Sequence, residues 1–175
     1  GDILVFVPTK KDTINGCRLL KEQCPNKLKL NKKVCDKLFC VEVFSKMKPE
    51  LKDLAVDKDK YKENGYNRKI IFATNVAESS ITFDGLVYVI DTGYEILSYY
   101  NIIDNSFVVK NEFISKAQIK QRIGRVGRTQ SGIAYHMYTE NKFNELIPYP
   151  NPSIIITDII DYVFLFIKYA KNIKH

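Results

Sequence analysis

Short apolar runs alternate along this chain with longer amphipathic stretches. Ile3, Leu4, Val5, Phe6 and Val7 form one continuous apolar run, the pattern of a strand buried on both faces of a parallel sheet. Pro8 and Thr9 end it, and residues 10–24 have the pattern of a helix closed by Pro25. Residues 27–37 are basic and irregular, and residues 38–44 predict a second strand. Pro49 and Glu50 open another helix, where proline suits the first turn. A charged loop over residues 57–67 contains Asn64-Gly65, and strands follow at 69–73 and 86–90. Residues 95–100 and 107–112 flank a polar stretch and predict an antiparallel hairpin with a wide tip. Residues 115–122 predict a helix with Ser115 as N-cap. A last strand is expected at 132–138, then helices from Glu140 and from Ser153. Strands alternating with helices mean an α/β fold with a largely parallel sheet. There is no internal repeat, and Pro148, Pro150 and Pro152 mark a turn into the final helix, where a domain is expected to end.

Composition narrows this little. At 175 residues and 45% hydrophobic, the chain has material for one ordinary core and is neither disordered nor disulfide-dense. Lys and Arg number 27 against 20 Asp and Glu, a net +7 that suggests a polyanionic partner. Residues 27–69 hold 13 basic and 7 acidic side chains, so +6 of the charge lies there. It is either an approach surface for nucleic acid or a solvated face. The four cysteines, Cys17, Cys24, Cys35 and Cys40, form no CxxC pair. Cys17 and Cys24 share a helix face at a spacing that favours core over zinc; the even count leaves a disulfide open, and the number is ordinary for a reducing compartment. No leader pattern precedes the first strand, and the apolar stretch 154–170 is broken by Thr157, Asp158, Asp161 and Lys168, which suits a buried or packing helix better than a membrane span. The expectation is therefore a piece of a larger protein that is not secreted and has no membrane partner, placed in cytoplasm or nucleus, or in a virion if viral.

The strongest chemical signal is Gln121-Arg122-Ile123-Gly124-Arg125-Val126-Gly127-Arg128. Arginines three apart can share one helix face, and Arg clamps phosphate bidentately with a permanent charge. The second signal is Thr74-Asn75-Val76-Ala77-Glu78-Ser79-Ser80-Ile81-Thr82-Phe83-Asp84. It follows a buried strand, at the edge where open α/β sheets bind ligands, and is rich in small hydroxyl side chains that suit backbone phosphate or sugar.

These two segments resemble motifs V and VI of superfamily 2 helicases of the DEAH/RHA group. Residues 1–6 are similar to motif IV and residues 43–49 to motif IVa. Tyr88-Val89-Ile90-Asp91-Thr92-Gly93 and Ile114-Ser115-Lys116-Ala117 lie where the family has its VIDPG and ISKA segments, around a β-hairpin. Val126 and the run Glu-Phe-Ile-Ser-Lys also resemble viral members of the poxvirus nucleoside-triphosphate phosphohydrolase II type, or a giant-virus counterpart. Abundant Lys, Asn and Ile fit an AT-rich genome, viral or protist.

The resemblance implies the second RecA-like domain of an ATP-dependent RNA helicase: a three-layer α/β sandwich over residues 1–152 with a mainly parallel sheet and an inserted β-hairpin. Residues 153–175 would lead into a winged-helix region. It implies ATP and Mg²⁺ as cofactors, held mainly by a first RecA-like domain, with no metal site here. Gln121 would position the attacking water. Arg125 and Arg128 would be arginine fingers, each typically worth about 10³ to 10⁵ in rate in related NTPases. Ser80, Thr82 and Asp84 would face ribose and phosphates. Ser45, Thr74 and Asn75 would contact the backbone of single-stranded RNA, with DNA as an alternative. The hairpin would act at the strand-separation point.

The sequence also departs from the family. The Phe that many members place after the motif IVa helix falls at Ala55 or Val56, and Thr92 replaces a Pro. Neither GxxxxGK[ST] nor a DEAH tetrad occurs, so the fragment alone should hydrolyse nothing. A catalytically silent nucleic-acid-binding scaffold and a DNA-directed relative are the alternatives.

Overall fold

The computed structural model describes residues 1–27, 31–79, 81–127 and 131–170. Its strands are β1 (Asp2–Phe6), β2 (Leu38–Val43), β3 (Arg68–Ala73), β4 (Leu86–Asp91), β5 (Tyr94–Asn101), β6 (Ser106–Phe113) and β7 (Ile133–His136). Its helices are α1 (Lys10–Lys27), α2 (Lys32–Cys35), α3 (Pro49–Val56), α4 (Lys60–Glu63), α5 (Lys116–Ile123), α6 (Glu140–Glu145), α7 (Ser153–Ile156) and α8 (Ile160–Ala170). Five strands form one parallel sheet in the order β2-β3-β1-β4-β7, and β5 and β6 form the antiparallel hairpin. This is the expected α/β RecA-like architecture.

The apolar runs fill both faces of the sheet. On one, Leu4, Phe6, Val43, Ile71 and Val89 pack with Ala55 of α3. The other lies beneath α1, where Gly16 sits against Phe72; a Cβ at position 16 would come within 2.5 Å of that ring. A second cluster of Ile114, Ile119 and Leu146 joins the hairpin base, α5 and α6.

At the amino end of the sheet a buried lysine closes the core. Lys69 Nζ donates to the carbonyls of Ala55 and Asp57, each at 2.7 Å, and lies 3.9 Å from Asp2 Oδ2. Tyr61 donates its hydroxyl to Asp2 Oδ1 at 2.7 Å and presents its ring to Lys69.

Several local expectations are corrected. Pro25 does not close α1, which runs to Lys27. The irregular stretch 27–37 contains α2, capped by Asn31 Oδ1 accepting from Lys33 N, and the charged loop contains α4. The disulfide that the even count left open forms twice, with Cys17 and Cys24 buried as expected: Cys17–Cys40 fastens α1 to β2, and Cys24–Cys35 fastens α1 to α2. Among the described residues no three His, Cys, Asp or Glu side chains are placed to hold a metal ion. The final helix is two helices, broken where Thr157 turns extended and Asp158 accepts from Ile160 N. Far from being buried, α8 leaves Tyr162, Phe164, Phe166 and Tyr169 exposed. Among the described residues no helix is long and apolar enough to cross a membrane.

Candidate nucleic-acid and nucleotide interface

Parallel strands end together, so the loops after β1, β2 and β3 meet at the carboxyl edge of the sheet. There they enclose a groove of about 280 Å³ lined by Thr9, Lys10, Phe44, Ser45, Thr74 and Asn75, among others. Ser45, Thr74 and Asn75, which the resemblance grouped, are therefore brought together. Thr74 is held by its backbone N–H donating to the carbonyl of Val43. Lys46, at φ 62°, takes the left-handed conformation immediately after Ser45. Lys10, which the sequence analysis did not single out, adds a cation to the groove and packs 4.4 Å from the centre of the Phe44 ring. Thr9 caps α1 here: its hydroxyl accepts from Asp12 N, while the Asp12 carboxylate accepts from Thr9 N.

Asn75 opens a 3-10 turn, Asn75–Glu78. Its amide faces the Glu95 carboxylate at 3.5 Å, and Glu95 accepts from Gln118 Nε2 at 2.8 Å. Gln118 also accepts from the backbone N–H of Ser115 and completes the capping box that starts α5. One polar relay thus joins groove, hairpin base and helix.

The arginine-rich segment begins on α5 and divides by environment. Gln121 is exposed. Arg122, one helix position on, is fully buried. Its Nε donates to Glu78 at 2.7 Å, its Nη1 to Asp91 at 2.8 Å, and its guanidinium covers the Phe6 ring at 4.8 Å. Arg122 therefore does not share the environment of Arg125; the two acids inside the core claim it. Arg125 is half-buried and donates to the backbone carbonyls of Ile81 and Glu78. Arg128 and Ser80 lie outside the described residues. Thr82 and Asp84 are exposed. Asp84 lines a wide basin with Lys52, Asp53, Asp57 and Lys60, just before Gly85 (φ 82°) turns into β4.

Burial is the main influence on Glu78 and raises its carboxyl above the ordinary range, against the pull of Arg122. Burial likewise raises the Tyr138 hydroxyl, which donates to Asp91 Oδ2 at 3.0 Å. The signal missed in the sequence was Asp91 itself: a carboxylate closing an apolar strand needs a cation inside the fold.

Among the described residues of the basic stretch 27–69, no Lys or Arg lines the groove. Lys33, Lys37 and Arg68 line an apolar recess of about 680 Å³ at the amino ends of β2 and β3, and Lys52 and Lys60 stand among acids. Ala55 is enclosed in the core and Val56 packs against it. Thr92, in the place of the family proline, ties its hydroxyl to the carbonyl of Phe6 at 2.9 Å, which holds β4 to the end of β1. At the hairpin tip Ile102 and Ile103 are exposed, the latter 93%.

Residues 1–130 match the helicase conserved C-terminal domain. The chain belongs to that family. It is 42% identical over 172 residues to L540 of Acanthamoeba polyphaga mimivirus, which its name assigns to the ATP-dependent RNA helicases; the match covers 98% of this chain and 23% of that protein. It is 34% identical over 157 residues to the pre-mRNA-splicing factor ATP-dependent RNA helicase prp22 of Schizosaccharomyces pombe, covering 88% of this chain and 13% of that protein. The chain spans less than a quarter of the length of either relative. Crystal structures of the E. coli DExH-box NTPase HrpB share the fold, one with a TM-score of 0.79 at 20% identity over 97% of this chain and 19% of its own.

Proposed function

We propose that this helicase C-terminal domain is the second motor lobe of an ATP-dependent RNA helicase. Its groove would hold the sugar–phosphate backbone of a single strand, and its arginines would serve a nucleotide seated on a first RecA-like lobe. The observation that carries this reading is the layout of one short segment. Its first residues, Thr74 and Asn75, line the groove, and its later carbonyls, Glu78 and Ile81, receive Arg125. Hydroxyl, amide and ammonium donors from Ser45, Thr74, Asn75 and Lys10 suit phosphate oxygens and read no base, as a translocating motor requires.

ATP and Mg²⁺ belong to the first lobe in this reading. Together they would supply the polarised γ-phosphoryl group. Arg125 and Arg128 would donate to its oxygens as charge builds, Arg125 by exchanging backbone carbonyls for phosphate. Gln121 is exposed and free to orient a water. Ser80, Thr82 and Asp84 would lie toward the ribose and phosphates, and the hairpin tip would part the strands. Residues 153–175 would lead into a winged-helix region, which would cover α8.

The test is Arg128→Ala in the longer protein that carries the first lobe. Strand-stimulated ATP hydrolysis should fall by about 10³ or more while the protein stays folded. Turnover at the parental rate would remove the arginine fingers from this chain. Strand affinity should also fall as salt rises, by the counterions that a few phosphate contacts release.

A further inference from the structure

Arg122 takes no part in the chemistry just described, yet it is the largest fully buried side chain among the described residues. We propose that Arg122, with Glu78 and Asp91, is the positioning element that makes occupation of the groove and placement of Arg125 a single event. The inference rests on the proposed function and deepens it, since it names how the strand signal crosses the domain.

The argument begins with Glu78. It ends the same 3-10 turn that Asn75 begins. It is gripped twice by the segment starting on α5, through its carboxylate by Arg122 and through its carbonyl by Arg125. Residues 122 and 125 stand about one helical turn apart, so the two grips fix both position and tilt of the turn. Asp91 supplies the fixed end. Its Oδ1 also accepts from Gly93 N at 2.9 Å and its Oδ2 from Tyr138, so the carboxylate cannot follow Arg122 if the helix shifts. A guanidinium can span two carboxylates because its donors form a rigid fork, and here Nε and Nη1 each take one acid.

The surroundings leave little slack. The Arg122 guanidinium rests on Phe6 and donates to the carbonyl of Tyr94 at 3.3 Å. A strand that draws Asn75 toward a phosphate therefore pivots the turn about the clamped Glu78 carboxylate, and the pivot shifts the Glu78 carbonyl that Arg125 must leave to reach the nucleotide. The long Asn75–Glu95 contact at 3.5 Å is the weak member that yields first. Removing the charge at Glu78 should leave the groove and the arginines present but uncouple them.

The experiment compares ATP hydrolysis by the longer protein, parental and Glu78→Gln, with and without saturating oligouridylate. The expected result is a basal rate within about twofold and a stimulated rate lower by about tenfold or more, an ordinary size for coupling between two sites. Oligouridylate affinity without nucleotide should stay within about twofold of the parent. Parental stimulation in a folded Glu78→Gln protein overturns the inference and leaves the proposed function standing. Basal and stimulated rates falling in one proportion, together with the melting temperature, would show a purely structural cluster and also overturn it. A parent that oligouridylate does not stimulate brings down the proposed function, and this inference with it. Should Glu78→Gln fail to fold, Arg122→Lys decides. It keeps a cation but cannot span both acids, so it must lose stimulation while keeping its basal rate, and parental coupling in it refutes the idea.

Discussion

Arg122 and Lys69 are both fully enclosed cations, and the domain holds them in opposite ways. Arg122 meets two carboxylates at 2.7 and 2.8 Å. Lys69 gives its hydrogen bonds to two backbone carbonyls, and its nearest carboxylate oxygen is 3.9 Å away. The first arrangement joins α5, β4 and the 3-10 turn, the elements that carry the candidate site. The second staples the end of α3 to the amino end of the sheet, away from the groove. A guanidinium keeps its charge at any working pH, whereas an ammonium in the same enclosure can shed its proton. Burial accordingly lowers the Lys69 pKa from its ordinary value, against the pull of Asp2. The domain thus places the permanent charge where two acids must be answered and the negotiable one where dipoles suffice.

The largest effect expected from this contrast is at Arg122. Arg122→Met matches much of the side-chain length but leaves Glu78 and Asp91 enclosed without their cation. Breaking a buried pair in this way costs about 3–5 kcal/mol. Urea denaturation of the domain should show that loss; a loss comparable to that of an exposed pair would mean that water reaches the cluster.

Lys69→Met should cost less, about 1–3 kcal/mol, because two carbonyls lose a donor while no carboxylate at bonding distance is stranded. The pH dependence separates the two centres further. A lysine whose folded pKa is depressed binds fewer protons folded than unfolded between its two pKa values, so stability rises with pH across that window. The parent should therefore gain on Lys69→Met in urea as pH rises toward the ordinary lysine pKa. An Arg122 variant should show no such widening of its gap to the parent, since arginine does not titrate there. A gap at Lys69 that is constant with pH would contradict the depressed pKa.

How far the sequence revealed this depends on the kind of interaction. Strand positions were legible because Leu4, Ile71 and Val89 sit in short apolar runs, and a parallel sheet requires such runs. Of the groove, the residues alone placed Thr74 and Asn75 after a buried strand, and Ser45 joined them only through the family resemblance. The split within the arginine segment was not legible. Helical spacing predicts a shared face for residues 122 and 125, but it cannot say that Asp91 and Glu78 lie beneath one of them, because those contacts span 31 and 44 residues. The cysteine pairs were hidden for the same reason: Cys40 reaches Cys17 only once β2 lies beside α1. The bend that splits α7 from α8 is local and falls at Thr157 and Asp158, polar positions that a single packing helix could also carry on its outer face.

The smallest expected effect sharpens the comparison most cleanly, because it holds geometry constant. Arg18 and Glu22 on α1 form an ion pair at 2.8 Å, the same distance as Arg122 to Asp91. Both partners are about half exposed, at 54% and 52%, so each charge is already solvated and gains little from the other. The i,i+4 spacing on a helix limits the benefit to about 0.3–0.5 kcal/mol. Glu22→Gln should therefore shift the urea midpoint barely beyond error, and salt should erase even that shift because solvent-exposed charges are screened. The Arg122 pair, shielded from solvent, should keep its contribution in the same salt. If salt weakened both equally, the difference between them would lie in distance alone and not in burial, and the account of Arg122 as an enclosed clamp would lose its physical basis.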